Sequence, residues 1–105
     1  MQFPISISIL TLALATLIHA ETNGVCQNDN GKGALLPDNK AGQDACTFYK
    51  NWVIPNKCAD CYWRDDANVS GEERCHSNNG EIHPDQWTAL CQRFGAQGGR
   101  TNNGS

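Results

Sequence analysis

Aliphatic side chains are scarce in this chain. Beyond residue 20 it offers only Val25, Leu35, Leu36, Val53, Ile54, Val69, Ile82 and Leu90. A domain this small buries a modest share of its surface, so a core this thin needs covalent help. Clustered positive charge is missing as well. The eight Lys and Arg are scattered among eleven Asp and Glu, for a net charge of -3. That excludes the basic footprint expected of a protein that binds nucleic acid or approaches anionic membranes. No GxSxG, HExxH or phosphate-loop pattern occurs, which removes the commonest signatures of hydrolases and nucleotide enzymes. The first twenty residues lack two further things, cysteine and charged side chains.

That uncharged beginning carries an apolar run from Ile5 to Ile18, closed by the small-residue context Ile18-His19-Ala20 before Glu21. It reads as a signal peptide over residues 1–20. The run is shorter than the about 20 apolar residues a membrane span needs, and polar sequence follows at once. Cleavage leaves roughly 85 residues, enough for one domain. The organisation expected is a signal peptide at 1–20, a single disulfide-rich domain at 21–95 and a disordered tail at 96–105. The tail is expected from its Gly- and Asn-rich composition.

Six cysteines follow the signal: Cys26, Cys46, Cys58, Cys61, Cys75 and Cys91. An even count in a short exported chain reads as a disulfide framework, though connectivity does not follow from spacing. Cys58-Ala59-Asp60-Cys61 has the CxxC spacing of thiol–disulfide oxidoreductases. That chemistry needs the first thiolate at a helix N-terminus after a buried strand, where its pKa falls. Here Asn56-Lys57 precedes it, with no long β-branched strand running into it. The structural reading is favoured, with Cys58 and Cys61 expected to bond different partners. Cys91 is expected to tie its helix to the CxxC segment or to Cys46. A zinc site assembled from Cys58, Cys61, Cys75, His76 and His83 conflicts with an oxidising compartment. No metal and no cofactor are expected.

Local signals give an α+β reading. Val25-Cys26 marks an N-terminal extended segment. Leu35-Leu36-Pro37-Asp38 reads as a helix start, with Asp38 as cap and Ala41, Ala45, Phe48, Tyr49 and Trp52 at helical spacing over 39–51. Trp52 to Pro55 reads as a short strand end. Asn78-Asn79-Gly80 is a turn signal that would join two strands in a hairpin. Pro84 suits the first turn of a second helix, where Trp87, Leu90, Cys91 and Phe94 share one face and Gly95 stops it. The fold expected is two helices on a short antiparallel sheet, with a loop-rich disulfide knot as the alternative.

Three residue groups are functional candidates. Tyr62-Trp63-Arg64 is a candidate binding patch, because adjacent residues of an extended segment point to opposite faces and one aromatic then faces outward. Asn68-Val69-Ser70 is an N-glycosylation sequon. His76 and His83, with Glu72, Glu73 and Asp85 near in sequence, are the only acid–base set for a small hydrolase such as a ribonuclease. The bland readings are a solvated charge run and a helix-flanking histidine, and no enzyme is expected.

A signal peptide, an acidic body, six cysteines and Asn/Gly-rich loops resemble the small secreted cysteine-rich proteins of filamentous fungi, many of them candidate effectors of plant-associated species. The resemblance is one of architecture. Cys26 follows Gly24-Val25, so the aromatic-x-Cys signature of some fungal effector candidates is not present. The adjacent cysteine pairs of hydrophobins and the eight cysteines of haem-binding fungal domains are not present either. The resemblance implies a secreted, monomeric virulence effector. Its partner would be a host extracellular protein or a cell-wall polysaccharide, with no nucleic acid and no stable membrane insertion. A toxin or antimicrobial protein is a second reading, which the acidic charge disfavours. A small hydrolase is the third.

Overall fold

The computed structural model describes residues 20–52, 58–65 and 73–103. The signal segment up to residue 19, the Val53–Pro55 stretch and the sequon at Asn68 lie outside the described residues. Within them, strands β1 (Thr22–Asp29), β2 (Leu35–Pro37), β3 (Tyr62–Arg64), β4 (Arg74–Ser77) and β5 (Gly98–Asn103) form one five-stranded antiparallel sheet. Helices α1 (Asn39–Asn51) and α2 (Pro84–Arg93) pack against it. This is the expected α+β architecture.

Strand β1 organises the sheet. It pairs with β5 from Thr22↔Asn103 to Gln27↔Gly98, with β4 at Thr22–Gly24, and with β2 at Gln27–Asp29. The order β2-β1-β4-β3 continues through Tyr62↔His76 and Trp63↔Cys75. The β5 pairing corrects, for Gly98–Asn103, the expectation of a disordered tail over 96–105. Its glycines are a packing requirement. A Cβ built on Gly99 would lie 2.7 Å from Cys91 Sγ and 2.9 Å from Trp87 Cδ1, and one on Gly24 would lie 2.6 Å from Trp87 Cε2. Glycine lets the two backbones approach the indole, and low-complexity composition gave no sign of that.

The helices follow their caps. Asp38 Oδ1 accepts the Ala41 amide at 3.0 Å, and α1 buries Ala41, Gly42, Ala45, Cys46 and Tyr49. Gly42 would be a weak helix residue in isolation. Here a Cβ would meet Trp63 Cη2 at 2.7 Å, so glycine gives the indole its seat. Pro84 opens α2, and Trp87, Leu90 and Cys91 are buried from it. At its end Gly95 takes φ +100°. The Ala96 amide then reaches Cys91 O at 3.0 Å and the Gly95 amide reaches Gln92 O at 3.1 Å. These two bonds are the Schellman closure.

Two local expectations change. Leu35-Leu36-Pro37 is a strand rather than a helix start, and both leucines stay exposed, at 62% and 52%. Asn78-Asn79-Gly80 does turn the chain, but it leads from β4 toward α2 and closes no hairpin.

All six cysteines are paired: Cys26–Cys91, Cys46–Cys75 and Cys58–Cys61. Two pairing expectations are therefore corrected. Cys58 and Cys61 bond each other, because the turn closed by the Cys61 amide on Cys58 O (3.1 Å) brings their Cα atoms to 5.3 Å. That separation lies within ordinary bridging range. Cys91 bonds Cys26, because α2 lies across β1 and β5 at that point. The first two bridges tie α2 to β1 and α1 to β4, so each helix is fastened to the sheet. In the chain-entropy account each of these long loops contributes about 4 kcal/mol and the short CxxC loop about 2 kcal/mol.

Candidate functional site

The β3 strand sets the candidate patch. Its pairing with β4 places Tyr62 opposite His76 and Trp63 opposite Cys75. The two aromatics divide as the strand alternation requires. Trp63 is half-buried against Gly42 of α1, and its Nε1 donates to Glu73 Oε1 at 3.4 Å. Glu73 Oε2 in turn accepts Asn39 Nδ2 at 2.9 Å, so the indole is fixed from both sides. Tyr62 is 43% exposed and stands edge-on to the His76 ring at 5.5 Å. Arg64 is half-buried and pairs in register with Arg74.

Between α1 and β3 runs an open groove of about 350 Å³, lined by Thr47, Lys50, Asn51, Tyr62, Trp63 and the Cys46 and Cys61 positions. Its lining mixes an ammonium, a hydroxyl, an amide and two aromatics. A second groove of about 540 Å³ lies between α1 and α2 and is lined by Phe48, Trp52, Asp85, Gln86, Ala89, Leu90 and Arg93. The Arg93 guanidinium sits 4.7 Å from the Phe48 centroid, and Phe48 meets Trp52 at 6.2 Å and Phe94 at 5.8 Å. The helical spacing puts Phe48 and Trp52 on the apolar stripe of α1, and Phe94 on that of α2. They are half-buried and pack against the edge of the core, leaving part of each ring at the surface.

The two histidines are separated in role. His76 is fully buried. Its Nδ1 faces Asn23 Oδ1 at 2.5 Å, and its Nε2 faces Glu21 Oε1 at 2.8 Å and Asn78 Oδ1 at 2.9 Å. Arg74 Nε donates to the same Asn23 oxygen at 3.3 Å, and Asn23 Nδ2 donates to Asn102 Oδ1 at 3.1 Å. This network joins β1, β4 and β5 through the sheet. His83 is exposed at the start of α2, and its backbone amide donates to Tyr49 Oη at 3.1 Å. The two rings thus share no hydrogen-bond partner among the described residues.

A carboxylate pair lies beside the CxxC turn. Asp60 accepts Ser77 Oγ at 2.7 Å and the Asn79 amide at 2.8 Å, and its Oδ1 is 3.5 Å from Cys58 Sγ. Burial pushes the Asp60 carboxyl upward, but hydrogen bonds from Ser77, Asn79 and Glu81 outweigh it and hold it below the usual range. Glu81 is pushed up, first by burial and then by its hydrogen bond to Asp60 and that group's charge. Burial also raises the Tyr49 phenol, whose single O–H lies between the acceptors Gln86 Oε1 and the more distant Glu81 carbonyl. The Cys46, Cys61 and Cys75 sulfurs lie within 4.8 Å of one another, so two disulfides are stacked in the interior. Sulfurs held in disulfides offer no thiolate, the form a metal needs.

These features define a disulfide-stapled α+β domain whose polar groups are satisfied inside, and whose aromatics outside line two grooves. Among the described residues every buried side-chain polar atom has a partner, and no helix is long and apolar enough to cross a membrane. The family model of biotrophy-associated secreted protein 4 matches residues 19–100, and the chain belongs to that family. It is a secreted protein, in keeping with the small secreted effector candidates that its architecture resembles. No curated protein and no solved structure matches it.

Proposed function

We propose that the protein acts outside the producing cell as an effector that binds host material through the groove between α1 and β3, with a cell-wall glycan as its partner. The observation that carries this reading is the lining of that groove. Trp63, held between Gly42 and Glu73, offers apolar surface beside Thr47, Lys50 and Asn51, and Tyr62 stands at the β3 edge of the groove with its ring toward His76. Aromatic surface ringed by hydrogen-bonding groups suits sugar rings, whose C–H faces are apolar and whose edges are hydroxyls. The volume, about 350 Å³, falls in the small-molecule range. The family name, biotrophy-associated secreted protein 4, supports an extracellular setting on a living host.

A second reading, binding to a host protein, is favoured by the α1–α2 groove. Phe48 and Trp52 there give the half-exposed aromatic surface that protein anchors use, over a floor that includes the buried Leu90. One experiment separates the two. The oxidised protein and its Tyr62→Ala and Phe48→Ala variants are passed over insoluble host wall material and over soluble host extracellular protein. Retention on wall material that falls with Tyr62→Ala alone supports the glycan reading. Retention by soluble protein that falls with Phe48→Ala alone favours the second reading. Full retention by both variants rules out both grooves.

A further inference from the structure

We propose that the α1–β3 groove is selective for a carboxylate-bearing sugar, a uronate, with Lys50 as the residue that reads the acid group. The inference rests on the glycan reading of the groove and adds the class of sugar. Its first support is the charge of the lining. Lys50 is the only charged side chain among the residues that line this groove. The other lysine of α1, Lys40, is engaged with Asp44 at 3.3 Å. Lys50 has no ion-pair partner among the described residues, in a protein whose net charge is negative. Lys50, exposed in the last turn of α1 and without a carboxylate partner among the described residues, stands beside the aromatic wall where an anion can pair with it.

The second support is the polarity of the neighbours. Asn51 Nδ2 donates one of its two hydrogens to Thr47 O at 3.0 Å, one turn back in the helix. Asn51 Oδ1 has no donor among the described residues, so it is left to accept from a ligand. The groove therefore presents a cation, an acceptor, a hydroxyl and an aromatic wall. A uronate ring presents the matching set of carboxylate, hydroxyl donors and an apolar C–H face. A neutral hexose would meet Lys50 only through its hydroxyl oxygens, without the ion pair. The third support is rigidity. Cys46 and Cys61 both belong to disulfides at the floor of the groove, so α1 and the start of β3 are held in place.

The test uses the oxidised protein with a short oligogalacturonate and its fully methyl-esterified form, which keeps the ring and removes the charge. Binding is read by titration in ¹⁵N-resolved NMR. The expected result is that the Lys50, Asn51, Tyr62 and Trp63 signals move with the acid form. Lys50→Gln then weakens that binding about two- to fivefold, as for a single exposed ion pair, and leaves the ester unaffected. Added salt weakens the acid form only. Unchanged signals elsewhere in the Lys50→Gln variant show that its fold is kept. Equal binding of acid and ester, indifferent to Lys50→Gln, overturns the uronate inference and leaves the glycan reading standing. No movement with either form, while Tyr62→Ala still abolishes retention on wall material, overturns it too. Loss of wall retention altogether removes the glycan reading beneath it.

Discussion

The indole of Trp87 occupies the space that a side chain on Gly99 would need. A Cβ there would come to 2.9 Å from Trp87 Cδ1 and 2.7 Å from Cys91 Sγ. Trp87 is fully buried, and its Nε1 donates to Val25 O at 3.2 Å. Neither neighbour can retreat, since one is hydrogen-bonded and the other is half of the Cys26–Cys91 bridge. Gly99→Ala is expected to cost about 1–3 kcal/mol through overpacking. Gly98→Ala, where a Cβ would meet nothing within 4 Å, serves as the control. Urea unfolding checks both. Equal midpoints for the two variants would show that β5 is not held against the indole.

The same contact shows what the sequence could and could not disclose. Both helices were legible because each carries a local start signal and an apolar face, the Asp38 cap for α1 and Pro84 in the first turn with Trp87, Leu90 and Cys91 for α2. The strand β5 was not. Its residues Gly98-Gly99-Arg100-Thr101-Asn102-Asn103 have no alternation and no aliphatic, and its reason to be ordered lies some 70 residues away in β1, at pairs such as Cys26↔Gly99. Non-local pairing leaves no periodic trace in the strand that completes it. The bridges were misread for a related reason. A CxxC turn joins its own cysteines whenever its backbone closes, whereas the Cys26–Cys91 partnership depends on where α2 crosses the sheet. For the candidate patch, the strand alternation correctly divided Tyr62 from Trp63. The half-buried state of Phe48 and Trp52 was hidden because aromatics in an aliphatic-poor chain are read first as core.

The three bridges are expected to be unequal in worth. Replacing Cys26 and Cys91 together by serine is expected to remove about 4 kcal/mol, a large part of the stability of a domain this size. Replacing Cys58 and Cys61 together is expected to remove about 2 kcal/mol and leave a folded protein. Circular dichroism during thermal unfolding ranks them. A greater loss from the CxxC pair would contradict the loop-length argument.

Sulfur proximity gives a separate expectation. In Cys58→Ser the released Cys61 thiol lies within 4.8 Å of both Cys46 and Cys75 sulfurs. Its thiolate can attack either one, forming a new disulfide and expelling the other sulfur as thiolate. Peptide mapping at alkaline pH should therefore find Cys46–Cys61 or Cys61–Cys75 beside the original Cys46–Cys75 bridge. A single Cys46–Cys75 species with Cys61 fully alkylated would refute the exchange.

Stability should also respond to pH through Asp60 and Glu81. The Asp60 pKa is lowered in the fold, so its contribution is present above the ordinary carboxylate range and is lost as pH falls through the folded value. The Glu81 pKa is raised, so its contribution is complete at low pH and is lost as pH rises through the folded value. The pair is thus most stabilising in mildly acidic solution, when Glu81 is protonated and Asp60 is not. Glu81→Gln, which keeps a donor toward Asp60, is expected to abolish the loss on the alkaline side, above about pH 4.3, the ordinary glutamate value. Thermal midpoints of the two proteins between acid and neutral pH measure this. Parallel curves would show that the pair does not titrate as a unit.

Trp63 and Gly42 should be energetically coupled, because each defines the space of the other. Gly42→Ala improves helix propensity by about 1 kcal/mol, yet its Cβ would meet Trp63 Cη2 at 2.7 Å and Cζ3 at 2.9 Å. The Trp63 ring cannot slide freely, since Nε1 is bonded to Glu73. In the wild-type background the clash outweighs the propensity gain, and Gly42→Ala is expected to destabilise by about 1–2 kcal/mol. In a Trp63→Leu background the obstructing ring atoms are gone, and the same substitution should become neutral or stabilising. The sign change between backgrounds is the signature of direct contact, with a coupling energy of about 1–3 kcal/mol. Chemical denaturation of the four proteins measures it. Additive effects would mean that the indole does not rest on α1, and the wall of the α1–β3 groove would then lack the fixed surface on which sugar binding depends.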